Sequence, residues 1–190
     1  MELDLEEVNR RNHQIRDLFF ANSSLNEVRF LHSFLPVISR KEVNTWLIID
    51  EIWKRYPSVT VVVPVCDFVS GSLRSCSLFP DTVIHKNKWG IPEPEQENIL
   101  SAGEIDVVLA PLLVADRQGN RVGYGKGFYD RFFGKCRKDV RKIGLSMFEP
   151  VDIISDVEVT DIALDMLVTP DNCYFFNQKQ NGSFLNTNVS

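Results

Sequence analysis

The chain is 190 residues long, 44 % apolar and 25 % charged, with a net charge of −5. That make-up suits one globular domain with a single large core, and its acidity argues against a general nucleic-acid binder. No stretch approaches the roughly 20 apolar residues of a membrane span, the acidic start MELDLEE is unlike a signal peptide, and Cys66, Cys76, Cys136 and Cys173 lack metal or disulfide spacing and read as reduced thiols of a cytoplasmic protein.

Leu5, Val8, Ile15 and Leu18 recur among polar residues and predict a helix over 4–20. Asn22 to Asn26 is a loop, and Ser24 or Asn26 can cap a short helix reaching about His32. Phe34 to Ile38 reads as a buried strand, and SRKEVNTW then feeds a helix from about Val43 to Arg55. VTVVVP, Val59 to Pro64, is a β-branched strand bounded by prolines. Residues 67–88 read as a short hairpin with Leu73 and Val83 on its strands, and WGIPEP (Trp89 to Pro94) is rigid and non-helical. Glu95 to Leu100 reads as a short helix or turn. Ile105 to Pro111 is a strand covered on both faces. Asp116, Gln118, Gly119 and Asn120 form a turn, a glycine loop follows, and a helix runs from about Tyr129 to Lys138. Strands are expected at Lys142 to Phe148 and Leu164 to Val168. The polar tail from Asn177 to Ser190 is expected to be disordered, leaving residues 1–176 as one domain.

Strands alternating with helices predict an α/β fold, a three-layer α/β/α sandwich around a mostly parallel sheet. Ligands of such sheets bind at the carboxyl ends of the strands, here loops 36–42, 64–70, 111–127 and 149–161.

The densest chemistry lies in IDVVLAPLLVADRQGNRVGYGKGFYDRFF, residues 105–133. Gly123, Gly125 and Gly127 let the backbone approach an anion and present its N–H groups. Arg121 and Lys126 suit phosphate oxygens, and Asp130 suits Mg²⁺, which binds nucleotides through one or two carboxylates. The spacing fits neither a Walker A loop, whose earlier glycine would fall on Asn120, nor a Rossmann loop, whose third would fall on Phe128. Arg131, Lys135, Arg137, Lys138, Arg141 and Lys142 form either a solvated face or a positive rim.

FLPVISRKEVNTWLI, VTVVVP, WGIPEP, the glycine-loop block and, more weakly, TDIALDMLVTP stand in order between residues 34 and 170. Together they resemble the 5-formyltetrahydrofolate cyclo-ligase family, also called methenyltetrahydrofolate synthetases. The resemblance implies a sandwich of the CoA-transferase-like kind and an ATP- and Mg²⁺-dependent ring closure of 5-formyltetrahydrofolate. It implies that Arg121, Val122, Gly123, Tyr124, Gly125, Lys126, Gly127, Phe128 and Tyr129 bind ATP, with Arg121 and Lys126 catalytic. Asp130 and Asp161 would hold the metal, with Asp156 competing for the second place. Val37, Glu42, Trp89, Pro92, Tyr124 and Phe128 would bind the folate; unaided, the aromatics read equally as core. The expected partner is the small substrate, with no nucleic acid or membrane, for a cytoplasmic monomer. The family usually opens with a Lys-x-x-Leu-Arg helix that touches ATP phosphates. The first helix here lines up with the family's second helical segment, and Val65 stands where many members have Arg. Two other readings stay open: a non-catalytic folate- or nucleotide-binding relative with a regulatory role, and a sugar-phosphate isomerase-like or CoA-transferase-like protein on a similar sheet.

Overall fold

The first helix, α1 (Leu5–Asn22), begins where the Asp4 carboxylate accepts the Glu7 N–H at 2.8 Å. The computed structural model describes residues 3–37, 40–95 and 98–176, so the expected disordered tail lies outside the described residues. In chain order follow β1 (Phe30–His32), α2 (Trp46–Arg55), β2 (Thr60–Asp67), β3 (Ser72–Leu78), β4 (Ile84–Lys86), β5 (Pro92–Pro94) and β6 (Ile99–Leu100). After them come β7 (Val107–Ala110), β8 (Val114–Ala115), β9 (Arg121–Val122), α3 (Phe128–Phe133), β10 (Arg141–Leu145), β11 (Met166–Val168) and β12 (Cys173–Phe175).

The main sheet has the order β12-β11-β10-β7-β1-β2-β3-β6. Its central run, β11 to β2, is parallel, while β12, β3 and β6 are antiparallel additions at the edges. Successive residues of a strand point to opposite faces, so the sheet builds two cores. On one face Val61, Val63, Val107 and Leu109 pack with Ile15 and Phe19 of α1 and Ile48, Ile49 and Ile52 of α2. On the other, Val62, Val108 and Ala110 pack with Phe132 and Phe133 of α3 and with Leu164 and Leu167. Burying each large side chain stabilises the fold by about 1.5–3 kcal/mol. Gly119, at φ 89°, turns the β8–β9 hairpin where a Cβ would lie 2.8 Å from the Phe176 ring.

Several elements differ from the sequence expectation. No helix spans 24–32, and the first parallel strand is Phe30–His32, ahead of the expected Phe34 to Ile38. A remote side chain sets that position: Asp106 Oδ2 accepts the N–H groups of Arg29 and Phe30 at 2.8 and 3.0 Å. Phe34 and Leu35 are buried beyond the strand end, and Ile38 lies outside the described residues. β2 runs past Pro64 because β1 pairs only as far as Val62, leaving Pro64 a ladder partner on one side alone. The expected helix or turn at Glu95 to Leu100, with 96 and 97 undescribed, contains instead β6, paired with Ser75 and Cys76. α3 stops at Phe133 before Gly134, a poor helix former, and Arg137 bonds Asp139 and Asp106 in the turn that follows. The edge strand β12 was not anticipated.

Candidate active site

A cleft of about 790 Å³ opens at the carboxyl ends of the central strands. Each of the four loops expected there contributes to it, and every candidate site residue named from the sequence lines it, Asp156 included.

One wall is the glycine loop. Gly125 and Gly127 have φ of 75° and 61°, in the left-handed region. A Cβ added at Gly123 or Gly125 would meet no atom within 4 Å, so internal packing does not require their bareness. Lys126 is exposed on this wall. Arg121, expected to face phosphate, is differently placed: its side chain is 5 % exposed. It donates to the Ile162 carbonyl at 2.5 Å and to Asp130 Oδ1 at 2.8 Å, and it lies 4.8 Å from the Phe133 ring centroid. Asp130 Oδ1 also accepts the Ile162 N–H at 3.2 Å, which ties the closing motif to the start of α3. Asp161, beside Ile162, folds back on its own turn, accepting the Glu158 N–H at 2.9 Å. Among the described residues no three His, Cys, Asp or Glu side chains cluster as a metal site. Asp130 and Asp161 both line the cleft with the glycine loop, and a Mg²⁺ ion needs only one or two protein carboxylates beside phosphate oxygens.

The other wall is aromatic. Asn87 Oδ1 accepts the N–H groups of Trp89 and Ile91 at 3.0 and 3.1 Å, and Gly90, at φ 76°, turns the chain between them. Trp89 stacks on Phe68 with centroids 3.4 Å apart, and Phe68 meets Phe128 edge-on at 5.3 Å. Lys88 Nζ sits 4.1 Å over the Trp89 ring. Sequence reasoning missed Phe68. Its signal was the Asp67 carboxylate, which accepts the Val69 and Ser70 N–H groups in a turn that projects the ring. Buried Glu93 accepts the Cys66 N–H at 2.8 Å, fastening WGIPEP to β2. Burial, with Glu93 nearby, pushes the Cys66 thiol up to about 12.

At the end where the walls meet, Glu42 accepts the Val37 N–H at 2.8 Å, and Arg40 lies 4.8 Å from the Tyr124 ring centroid. Burial and the facing Glu42 carboxylate push the Tyr124 hydroxyl above its ordinary range. The floor is Tyr129, whose buried hydroxyl has no partner among the described residues and is shifted up by burial. Beneath it His32, fully buried, contacts Ser75 Oγ at 3.1 Å and packs on the Tyr129 and Phe132 rings.

The arrangement sets a glycine loop and a stacked aromatic pair in one cleft. Among known proteins, the 5-formyltetrahydrofolate cyclo-ligase family matches residues 2–170. A 5-formyltetrahydrofolate cyclo-ligase of Haemophilus influenzae is 36 % identical over 92 residues, covering 47 % of this chain and 49 % of that protein. A probable 5-formyltetrahydrofolate cyclo-ligase of Caenorhabditis elegans is 33 % identical over 98 residues, 47 % of this chain and 48 % of that one. The chain thus spans about half the length of these curated relatives. The solved structure of an Aquifex aeolicus 5,10-methenyltetrahydrofolate synthetase superposes with a TM-score of 0.77 at 20 % identity, over 96 % of this chain and 89 % of that one. This likeness establishes the shared α/β fold.

Proposed function

The chain belongs to the 5-formyltetrahydrofolate cyclo-ligase family, and from that premise we propose that it closes 5-formyltetrahydrofolate to 5,10-methenyltetrahydrofolate at the expense of ATP. The observation that carries this reading is the opposition of the two walls: a glycine loop bare toward the cleft faces a stacked Trp89–Phe68 pair within one cavity.

The formyl oxygen attacks the γ-phosphorus, an O–P bond forms, and the bond to the leaving ADP breaks. N10 then attacks the formyl carbon and loses its proton, and phosphate departs with the former formyl oxygen. The amides from Val122 to Tyr129 cradle the triphosphate, and Lys126 neutralises the charge that shifts during transfer. Arg121 acts from behind, holding Asp130 in place. Asp130 and Asp161 would hold Mg²⁺, which would neutralise charge on the phosphate oxygens. Glu42 accepts N–H bonds from the pterin edge beside Val37, and Trp89, Pro92, Phe68, Phe128 and Tyr124 wall the ring. The same reading takes the protein as a cytoplasmic monomer acting on a small molecule.

The test is to mix the protein with 5-formyltetrahydrofolate, Mg²⁺ and ATP and follow the near-ultraviolet band of the methenyl product. ATP-dependent growth of the band is expected. No growth, with folate binding retained in a titration, would replace the enzyme by a binding relative.

A further inference from the structure

Arg131 touches both walls of the cleft. Its Nε donates to the Gly71 carbonyl at 2.8 Å, and its Nη2 donates to the Lys126 carbonyl at 2.6 Å. Gly71 lies in the turn between β2 and β3, the hairpin whose tip carries Phe68. Lys126 belongs to the glycine loop. The guanidinium, solvent-exposed, lies against both turns: a Cβ at Gly71 would lie 2.9 Å from Nη2, and one at Gly127 would lie 2.9 Å from Nη1. Both glycines have positive φ, 66° and 61°. The Phe128 ring centroid lies 5.6 Å from the guanidinium carbon. A residue that belonged, by sequence, to a basic rim therefore spends two of its donors on backbone carbonyls 55 positions apart in the chain, at 71 and 126.

We propose that Arg131 is a positioning residue whose guanidinium locks the Lys126–Gly127 turn to the β2–β3 hairpin, so that the glycine loop and the aromatic wall keep one spacing across the cleft. Apart from Tyr124, which Arg40 and Glu42 hold, the loop has few side chains to order it, and its glycines lose the most freedom on ordering. The planar fork reaches two carbonyls at once, which a lysine ammonium on a flexible stem does not reproduce. The consequence for turnover rests on the cyclo-ligase reading; the lock itself does not. Reaction across the cleft needs both substrates at contact distance, so a loosened spacing lowers kcat while each substrate binds its own wall as before.

The bond after Lys126 is a trypsin site whose carbonyl Arg131 holds, and this makes the lock measurable without any substrate. Arg131→Ala is expected to speed cleavage of the Lys126–Gly127 bond on the order of tenfold, read by mass spectrometry, with cleavage after Arg55 unchanged. Millimolar guanidinium ion, taking the place of the lost group, slows it again. Arg131→Lys, retaining one donor, falls between wild type and Arg131→Ala and serves if the alanine variant does not fold. In turnover, Arg131→Ala lowers kcat about tenfold with either KM changed less than about twofold. Equal cleavage in wild type and both variants, or acceleration at every site in step, overturns the lock. A wild-type protein that does not turn over folate overturns the cyclo-ligase reading instead, and the cleavage experiment still decides the role of Arg131.

Discussion

The two walls of the cleft solve the same problem by opposite means. The aromatic wall is held by its own side chains: Trp89 stacks on Phe68, Phe68 abuts Phe128, and Glu93 pins the strand behind. The glycine wall has almost no side chains of its own and is held by others, with Arg121 tying Asp130 to Ile162 and Arg131 reaching back to Lys126. A flat ring needs a surface, which side chains make. A triphosphate needs converging N–H groups, which the backbone supplies only where side chains are absent. The wall that binds by backbone must therefore be positioned from outside.

That contrast is sharpened most by Asp130→Asn, which keeps an acceptor for Arg121 but removes the charge proposed to hold the metal. Mg²⁺-dependent turnover should fall on the order of 10³-fold while folate affinity, measured by titration, stays within about twofold. A parallel loss of folate binding would break the division into walls. Asp130→Ala in addition leaves the buried Arg121 charge unpaired and should cost about 3 kcal/mol in denaturant unfolding. Lys126→Ala should reduce kcat on the order of 10²-fold, again without effect on folate binding. On the opposite wall, Trp89→Ala should weaken folate binding roughly tenfold and leave ATP affinity alone, as seen by competition titration.

A pH effect lies under the floor. Burial lowers the His32 pKa to about 3, whereas the unfolded chain titrates near 6.5. The unfolded state therefore binds the proton first, and folding stability is whole above about pH 6.5 and lost as pH falls toward 3. The loss is at most about 1.4 kcal/mol per pH unit. Denaturant midpoints across that window should slope less in His32→Gln; an unchanged slope would assign the acid sensitivity to other groups.

Where the chemistry is local, the sequence announces it. Glycines at every second position, a strand such as VTVVVP, and prolines around Trp89 each determine their own conformation, and the residues singled out there meet in one cleft. What could not be read depends on partners far along the chain. β1 starts where Asp106 catches Arg29 and Phe30, and no property of Phe34 to Ile38 reveals that the ladder has already ended. By sequence Arg121 looks like a phosphate ligand beside a glycine loop, and Arg131 like part of a solvated face or a positive rim. Only the fold brings Ile162 to one and Gly71 to the other, burying Arg121 and tying the exposed Arg131 to the hairpin. Phe68 is one aromatic in a polar hairpin until Trp89 arrives against it.

The thiol that lines the cleft beside Glu93 carries a consequence for covalent chemistry. With its pKa pushed up to about 12 by burial and Glu93, Cys66 stays a thiol at pH 7. An open cleft of about 790 Å³ thus offers electrophiles and oxidants no ready sulfur nucleophile at Cys66. An alkylating reagent shaped to fit the cleft should leave Cys66 unmodified at neutral pH, and the site should withstand oxidative conditions that inactivate enzymes with acidic active-site thiols.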